Sequence, residues 1–274
     1  RDPASPAPKD GSRVDLAIME STYGDRDHRP LADTVEEASA IVREAAWDKQ
    51  RILIPAFAIG RSQVIIYYLA MLMQSGRAPR FPVHLDSPMA IEAIKLYRAH
   101  AQLLDADSLA QLRAGSFPLD MPELHLVKSA EESKLLNDAP GPLAIIAGSG
   151  MCNGGRIVHH LRHGLWRKDV HVLIAGYQAA GTLGRQLVNR APEVRIFGQT
   201  IPVRAKIHTL GGFSAHAGRT ELIPWAKTLH AASRPARWVL PHGQNPPRQS
   251  LSAGLAPFIG QAPTLPAYGD ASEL

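Results

Sequence analysis

Three short stretches place residues capable of acid–base or metal chemistry directly after apolar runs. Glu20 follows the apolar run 14–19, His216 ends the small-residue stretch 211–216, and His242 follows the run 238–240. Histidine titrates near neutral pH and binds metal ions, and a neighbouring carboxylate fixes its tautomer. Each histidine alone is also compatible with a structural role. We predict that Glu20, His216 and His242 converge in one active site, because loops held by strands position side chains without burying them.

A glycine-rich stretch, 148–155, lies between an apolar run and a predicted helix that begins at Arg156. Small residues let backbone amides approach an anion, and a helix N-terminus adds partial positive charge. Ser149, Gly150 and Arg156 are therefore candidate phosphate contacts, together with Ser214 near His216. A plain turn between strand and helix explains the same glycines, and the spacing does not decide between the two. The stretch matches neither Gly-x-Gly-x-x-Gly nor a P-loop, which disfavours a dinucleotide or ATP site.

Two further clusters have simpler structural explanations. His159 and His163 are four residues apart on the predicted helix, which is metal-ligand spacing, but no glutamate follows as in His-Glu-x-x-His. We interpret them as packed or solvated side chains. The adjacent residues 25–28 lie in a polar loop, and neighbours in sequence rarely point at one ion. No Gly-x-Ser-x-Gly elbow is present, so a serine hydrolase is disfavoured.

Composition bounds the class of protein. The chain has 274 residues, 45% of them hydrophobic, and a single cysteine, Cys152, which excludes a disulfide framework and a cysteine metal cluster. This usage fits a cytoplasmic protein. No apolar run approaches the roughly 20 residues that span a bilayer, so we expect no membrane association. The formal charge of +5 favours polyanionic partners, although an ordinary solvated basic surface is the alternative.

Alternating strand and helix patterns predict an α/β fold with a parallel sheet flanked by helices. The four repeated units have strands at 51–55, 82–85, 143–147 and 170–175, followed by helices at 63–73, 89–104, 156–165 and 183–189. A cap at Asp33 or Thr34 and an apolar face predict a helix at 34–48 before these units. Weaker patterns among them predict a helix at 108–113, a strand at 124–127 and a helix at 130–136. Ligands bind beyond the carboxyl ends of such strands.

The pattern changes after residue 194, where β-rich alternation at 195–197 and 203–210 is followed by a helix at 220–231 and a strand at 237–240. One further helix is predicted near 249–259. We interpret residues 1–13 as an extended linker and residues 26–200 as an inserted domain. The segments 1–25 and 201–274 are then two pieces of another domain.

The motifs appear together in an order that resembles the β-CASP branch of the metallo-β-lactamase superfamily. That branch includes the pre-mRNA 3′-end endonuclease and RNase J. The resemblance covers residues 14–243. It is carried by Met19-Glu20-Ser21-Thr22-Tyr23-Gly24, Asp86-Ser87-Pro88-Met89-Ala90, the glycine-rich stretch with Arg156-Ile157-Val158-His159-His160-Leu161, Phe213-Ser214-Ala215-His216 and Pro241-His242-Gly243.

The resemblance implies a partial metallo-β-lactamase αββα sandwich, from 1–25 and 201–274, with a β-CASP domain inserted at 26–200 and the active site between them. It also implies two zinc ions that activate a hydroxide for in-line attack on a phosphodiester. His242 would bind one zinc, His216 would contact the scissile phosphate and protonate the leaving oxygen, and Glu20 would pair with His216.

The zinc ligands that the family places upstream of Glu20, within a His-x-His-x-Asp-His motif, have no counterpart in this sequence. We therefore expect the chain to be the carboxyl-terminal portion of a longer enzyme, binding zinc poorly or not at all and inactive by itself. The expected function is a zinc-dependent ribonuclease for single-stranded RNA, with a homodimer as a further expectation. The alternatives are a non-catalytic RNA-binding or scaffold homologue, and a metallo-hydrolase acting on DNA or another phosphoester.

Overall fold

The computed structural model describes residues 13–103, 106–114 and 117–271, so all but the last residue of the predicted linker 1–13 lies outside it. The strands are β1 (Leu16–Ile18), β2 (Arg51–Pro55), β3 (Val83–Asp86), β4 (Leu124–Leu126), β5 (Leu143–Ala147), β6 (Val170–Ile174), β7 (Glu193–Ile196), β8 (Gln199–Pro202), β9 (Lys206–Thr209) and β10 (Arg237–Val239). The helices are α1 (Leu31–Trp47), α2 (Arg61–Gln74), α3 (Pro88–Ala99), α4 (Ala106–Arg113), α5 (Ala130–Leu135), α6 (Arg156–Gly164), α7 (Leu183–Val188), α8 (Arg219–Ser233) and α9 (Asn245–Ile259).

The chain divides into two compact units. One comprises residues 29–213, and the other combines residues up to 28 with the segment from 214 onward. In the larger unit, the described residues form a six-stranded sheet in the order β4-β3-β5-β2-β6-β9. Every pairing in this sheet is parallel, which confirms the predicted α/β class.

Both faces of this sheet are covered, because its central strands are mostly apolar and are buried along their whole length. All five residues are buried in each of β2, β5 and β6. In β2, Ile52 and Ile54 pack with the apolar side chains of α1, α2 and α3, whereas Leu53 packs with those of α6 and α7. Alternate residues of a strand point to opposite faces, so the two helix groups lie on opposite sides of the sheet.

The observed elements differ from the predicted ones at several places, including strand β8, which pairs antiparallel with β7 and lies outside the predicted strands. Strand β9 pairs with β6, which carries the larger unit on to Phe213 instead of ending it near residue 200. Helix α3 ends at Ala99, before the predicted end at 104, a position outside the described residues. Helix α9 begins at Asn245, since proline is well tolerated in the first turn, where its missing N–H costs nothing.

The smaller unit is built around the parallel pair β1–β10, which joins distant parts of the chain. Its apolar core includes Trp238, Leu240 and Leu251 from the carboxyl-terminal segment, with Ala17 and Met19 from the amino-terminal one. The segment after α9 extends the sheet, as the amide of Leu240 donates to the carbonyl of Thr264. No helix in the described part of the chain is both long and apolar enough to cross a bilayer.

Candidate active site

Strands β1 and β10 bring Glu20 and His242 to the same edge of the smaller unit. Ile18 pairs with Val239 in parallel register, so both strands end there. Beyond the pairing, the amide of Ser21 donates to the carbonyl of His242 at 2.8 Å, and the Ser21 hydroxyl donates to the same oxygen. These bonds fix the turn that carries His242 directly against the turn that carries Glu20.

Gly243 makes this close approach feasible. Its φ of +131° is a backbone conformation that residues with a side chain rarely adopt. A Cβ at this position would also lie 2.9 Å from the carbonyl oxygen of Ser21 and 3.0 Å from its Oγ. The turn after β10 therefore requires glycine both for its backbone conformation and for its contact with Ser21.

Glu20 holds the turn that carries His216. Its Oε2 accepts a hydrogen bond from Nδ1 of His216 at 2.6 Å, and its Oε1 accepts one from the amide of Ala217 at 2.9 Å. Burial raises the pKa of the Glu20 carboxyl, but the hydrogen bonds from His216 and Ala217 outweigh it and lower the pKa to about 2. Glu20 is therefore ionised at neutral pH and holds the proton of His216 on Nδ1, which directs Nε2 of the ring away from the carboxylate.

Thr22 is a member of the site that our sequence interpretation missed. Its Oγ1 lies 2.9 Å from Nδ1 of His242 and 3.3 Å from Nδ1 of His216. The two imidazole ring centroids are 5.1 Å apart, so one hydroxyl links both rings. Its position two residues after Glu20, inside the same motif, is the sequence signal that could have identified it.

The segment 25–28, which we interpreted as a polar loop, contacts the backbone of His216 and the start of α8. Nε2 of His28 donates to the carbonyl of His216 at 2.5 Å, and the ring of Tyr23 lies edge-on to His28 with centroids 4.3 Å apart. Oδ1 of Asp27 accepts hydrogen bonds from the amide and hydroxyl of Thr220, in the first turn of α8. Each of these contacts positions the backbone beside His216.

Glu20, His216 and His242 also form a group that could bind a metal ion. Among the described residues, Glu20, His216 and His242 each offer a ligand atom within 4.8 Å of the other two. The Nδ1 sides of both rings are already occupied by Glu20 and Thr22, which leaves Nε2 of His242, on a side chain that is 61% exposed, to bind a metal. A catalytic zinc takes about three protein ligands plus water. These residues therefore fit part of a zinc site.

Ser214 lies in the smaller unit and is buried, and its Oγ accepts a hydrogen bond from the amide of His216 at 3.3 Å. The other predicted phosphate contacts, Ser149, Gly150 and Arg156, lie in the larger unit. Oγ of Ser149 accepts a hydrogen bond from the amide of Asn153 at 3.1 Å, inside the glycine-rich loop. Their contact with phosphate stays a prediction.

Arg156 is engaged by a buried carboxylate that the sequence did not reveal as a site residue. Asp86, fully buried, accepts hydrogen bonds from Arg156 at 2.5 Å, from Nε2 of His160 at 2.7 Å and from the hydroxyl of Ser133 at 2.5 Å. Burial raises the pKa of Asp86, but the hydrogen bonds from His160, Ser133 and Arg156 more than offset this and lower it below its ordinary value. The network ties the helix that follows the glycine-rich loop to the end of β3.

The two remaining histidines of α6 lie on its exposed side. The ring of His159 packs against Phe197, with centroids 4.7 Å apart, and His163 is exposed. Cys152, inside the glycine-rich loop, is buried, and burial raises the pKa of its thiol to about 12. A thiol of this kind is not a nucleophile at neutral pH.

Sequence comparisons identify the family. A profile of the Beta-Casp domain matches residues 62–187, and a profile described as the Zn-dependent metallo-hydrolase RNA specificity domain matches residues 200–252. The chain is 42% identical over 257 residues to a Thermus thermophilus protein named Ribonuclease TTHA0252, covering 94% of this chain and 58% of that protein. The chain belongs to the β-CASP branch of the metallo-β-lactamase superfamily.

Other relatives are consistent with membership in the β-CASP branch. An RNase J-like protein of Methanocaldococcus jannaschii is 31% identical over 254 residues, covering 91% of this chain and 56% of that protein. A protein of Thermococcus kodakarensis named transcription termination factor FttA is 30% identical over 270 residues, covering 96% of this chain and 41% of that protein. The chain thus spans about half the length of the curated relatives it matches.

Three of the motifs that carry the resemblance meet in this structure. Glu20 and His216, which the resemblance pairs, are hydrogen-bonded, and His242 lies beside them. The chemical roles of the three residues stay predictions. Their convergence, from both ends of the chain, is the geometry that those roles require.

Proposed function

We propose that this protein is a zinc-dependent phosphodiester hydrolase that acts on single-stranded RNA. The observation that carries the proposal is the hydrogen bond between Glu20 and His216 beside the exposed ring of His242. The family membership, the ribonuclease names of relatives and the formal charge of +5 support it. In this proposal, the chain supplies one part of the catalytic machinery and further zinc ligands come from outside the motifs described above.

Each residue has a distinct task in the proposed reaction. His242 would hold zinc through Nε2, with Thr22 fixing the orientation of its ring. Zinc, when bound, supplies Lewis-acid activation of water and of the phosphate. His216, as an imidazolium whose Nδ1–H is bound by Glu20, donates the proton on Nε2 to the leaving oxygen of the cleaved phosphodiester and keeps the proton on Nδ1. General acid catalysis of this kind contributes roughly 10²- to 10⁴-fold to a rate.

The experiment is hydrolysis of labelled single-stranded RNA by the protein at its natural length, with zinc supplied, and with the variants His216→Ala and His242→Ala. We expect both variants to lose at least about 10²-fold in kcat. His159→Ala is the matched control, since it removes an exposed histidine from the larger unit. If both site variants cleave as fast as the parent, the assignment of roles is wrong.

Substrate class is tested in the same assay. Single-stranded DNA of the same sequence, and binding of RNA over a salt series without cleavage, cover the two alternative functions. Cleavage of DNA at a rate equal to that of RNA favours a broader phosphoesterase. Tight RNA binding without any hydrolysis, in the presence of zinc, favours a binding or scaffold homologue.

A further inference from the structure

Three large apolar side chains are exposed in the segments that follow strands β2 and β3, at the carboxyl edge of the large parallel sheet. Strands β3, β5 and β2 are neighbours there, and the backbone after β5 passes close to Ala56 and Ser87, which follow β2 and β3. Phe57 is 49% exposed, Ile59 67% and Met89 66%. Parallel α/β sheets bind their ligands at this edge, so large apolar side chains left in solvent here point to a bound partner.

Phe57 is held in place by the glycine-rich loop. A Cβ built on Gly150 would lie only 2.7 Å from Cδ2 and 2.8 Å from Cε2 of the Phe57 ring, so the ring rests directly on glycine backbone. Gly150 is anchored from another strand, because buried Gln178, which follows β6, donates to its carbonyl oxygen at 2.9 Å. The ring is thus half-exposed yet supported by a fixed backbone, as a stacking surface must be.

The polar groups of the loop are largely used within the protein. The amide of Ser149 donates to the carbonyl of Gly154 at 3.0 Å, the amide of Cys152 donates to the carbonyl of Ser149 at 3.1 Å, and Arg156 donates to Asp86. The surface presented beside Phe57 is therefore suited to a flat apolar group. Tyr177 precedes Gln178 in the same segment after β6. The guanidinium of Arg185 lies 5.5 Å from the centroid of the Tyr177 ring and adds positive charge to this edge of the sheet.

We propose that Phe57 is a stacking platform for an unpaired base of single-stranded RNA, with Gly150 setting the position of its ring. This inference rests on the proposed function, which supplies RNA as the ligand. Every base has an aromatic face, so an aromatic side chain at a positively charged edge binds single strands with little dependence on sequence. This site would contact the base of a nucleotide, whichever base it is, and it includes none of the residues of the Glu20–His216–His242 group.

The test compares two probes in a chelator-containing buffer that prevents cleavage. One is a single-stranded oligouridylate of about ten nucleotides, and the other is a strand of the same length with abasic riboses. The 274-residue chain should bind the oligouridylate roughly 5- to 100-fold more tightly than the abasic strand. Phe57→Leu should abolish most of this difference while leaving the affinity for the abasic strand unchanged. Phe57→Trp should keep it, with tryptophan fluorescence quenched on binding.

Two matched pairs of variants separate stacking from general damage. Trp166→Leu removes an aromatic side chain of similar exposure, 51%, that lies before β6 at the opposite edge, and should change neither affinity. Gly150→Ala should displace the Phe57 ring and weaken oligouridylate binding, whereas Gly154→Ala, which has open space at its Cβ, should not. Circular dichroism melting curves check that each variant is folded.

The outcomes decide the inference separately from the proposed function. If Phe57→Leu weakens binding of both strands equally, or of neither, the stacking platform is refuted. A parent that binds both strands equally, or neither, also refutes it. The cleavage assay with His216 and His242 variants decides the hydrolase proposal, whichever result is obtained here.

Discussion

Nδ1 of His216 lies 2.6 Å from Oε2 of Glu20, and the second oxygen of the same carboxylate accepts the amide of Ala217. One carboxylate therefore fixes both the ring and the backbone of the proposed general acid. Replacing Glu20 with glutamine keeps the size of the side chain but removes its charge. We expect Glu20→Gln to lower kcat for RNA roughly 10²-fold with little change in KM. Glu92→Gln, on the exposed surface of α3, is the control, and parental rates in Glu20→Gln would contradict this role.

Thr22 links the two histidines, and its hydroxyl can be removed without changing its shape. We expect Thr22→Val to lower zinc affinity roughly 10- to 100-fold, because an unsupported ligand ring loses its orientation. The measurement is zinc titration by calorimetry on the protein at its natural length. Thr228→Val removes an exposed hydroxyl that bonds only within α8, and should have no effect. Equal zinc affinities in both variants would show that Thr22 does not orient His242.

Gly243 carries both a positive φ and a close contact with Ser21. Gly243→Ala should therefore destabilise the protein by about 1–2 kcal/mol for its backbone conformation and about 1–3 kcal/mol more for steric overlap. Gly260→Ala is the control, since Gly260 has a φ of +78° with nothing within 4 Å of its Cβ. Urea unfolding measures both. An equal loss of unfolding free energy in the two variants would mean that the turn at Gly243 shifts to accommodate the extra methyl group.

Asp86 is a buried carboxylate that accepts hydrogen bonds from Arg156, His160 and Ser133. Asp86→Asn should cost about 3–5 kcal/mol at neutral pH, because it leaves Arg156 without its counter-charge and disrupts the buried hydrogen bond with His160. The lowered pKa of Asp86 means that this stabilisation is complete above pH 3.8, its unfolded value, and is lost as pH falls through the folded value. The free energy of unfolding, measured in urea, should therefore differ less between the parent and Asp86→Asn only in strong acid.

Asp120→Asn is the control for Asp86, because Asp120 pairs with Arg98 on the surface, where both side chains are 43% exposed. Surface pairs of this kind contribute about 0–1 kcal/mol. A loss in Asp86→Asn no larger than that in Asp120→Asn would show that the buried network contributes little to stability.

His171 predicts a second acid-sensitive response, at higher pH. Burial, together with the charges of Lys206 and His208, lowers the pKa of His171 from 6.5 to about 4, against an opposing effect of Glu44 and Asp48. The unfolded chain therefore takes up this proton first, so stability is full above pH 6.5 and declines between pH 6.5 and 4. His171→Asn should flatten the dependence of Tm on pH across this range. The exposed His159→Asn should leave that dependence intact, and an unchanged slope in His171→Asn would refute the assignment.

The sequence predicted the parts of the fold that depend on local pattern. The run 143–147 is apolar throughout and the run 51–55 is apolar after Arg51, and both form central strands buried on both faces. The sequence also placed Glu20 and His242 after the ends of two predicted strands. These strands, β1 and β10, pair in parallel and end at the same edge. Helix α9 begins at Asn245, earlier than the predicted start near 249. Pro246 and Pro247 usually end a helix, but here they occupy its first turn, where proline is tolerated.

What the sequence could not give are relations that only tertiary packing creates. The pairing of β9 with β6 follows from a short strand of mixed burial, with no local feature that chooses its sheet. Asp86 stood in a recognised motif, yet its partners come from α5 and α6, and no periodicity reports such a convergence. Phe57 likewise was only one apolar residue in a loop until the position of Gly150 beneath it was known.

The pairing of β1 with β10 has a consequence for biosynthesis. Thr22 and His242 are separated by 220 positions, and strand β1 has no pairing partner until β10 has been synthesised. The larger unit can fold in the meantime, because its residues form one continuous segment. The group formed by Glu20, His216 and His242 can therefore assemble only after residue 242 has been synthesised, when the larger unit already has all of its own residues.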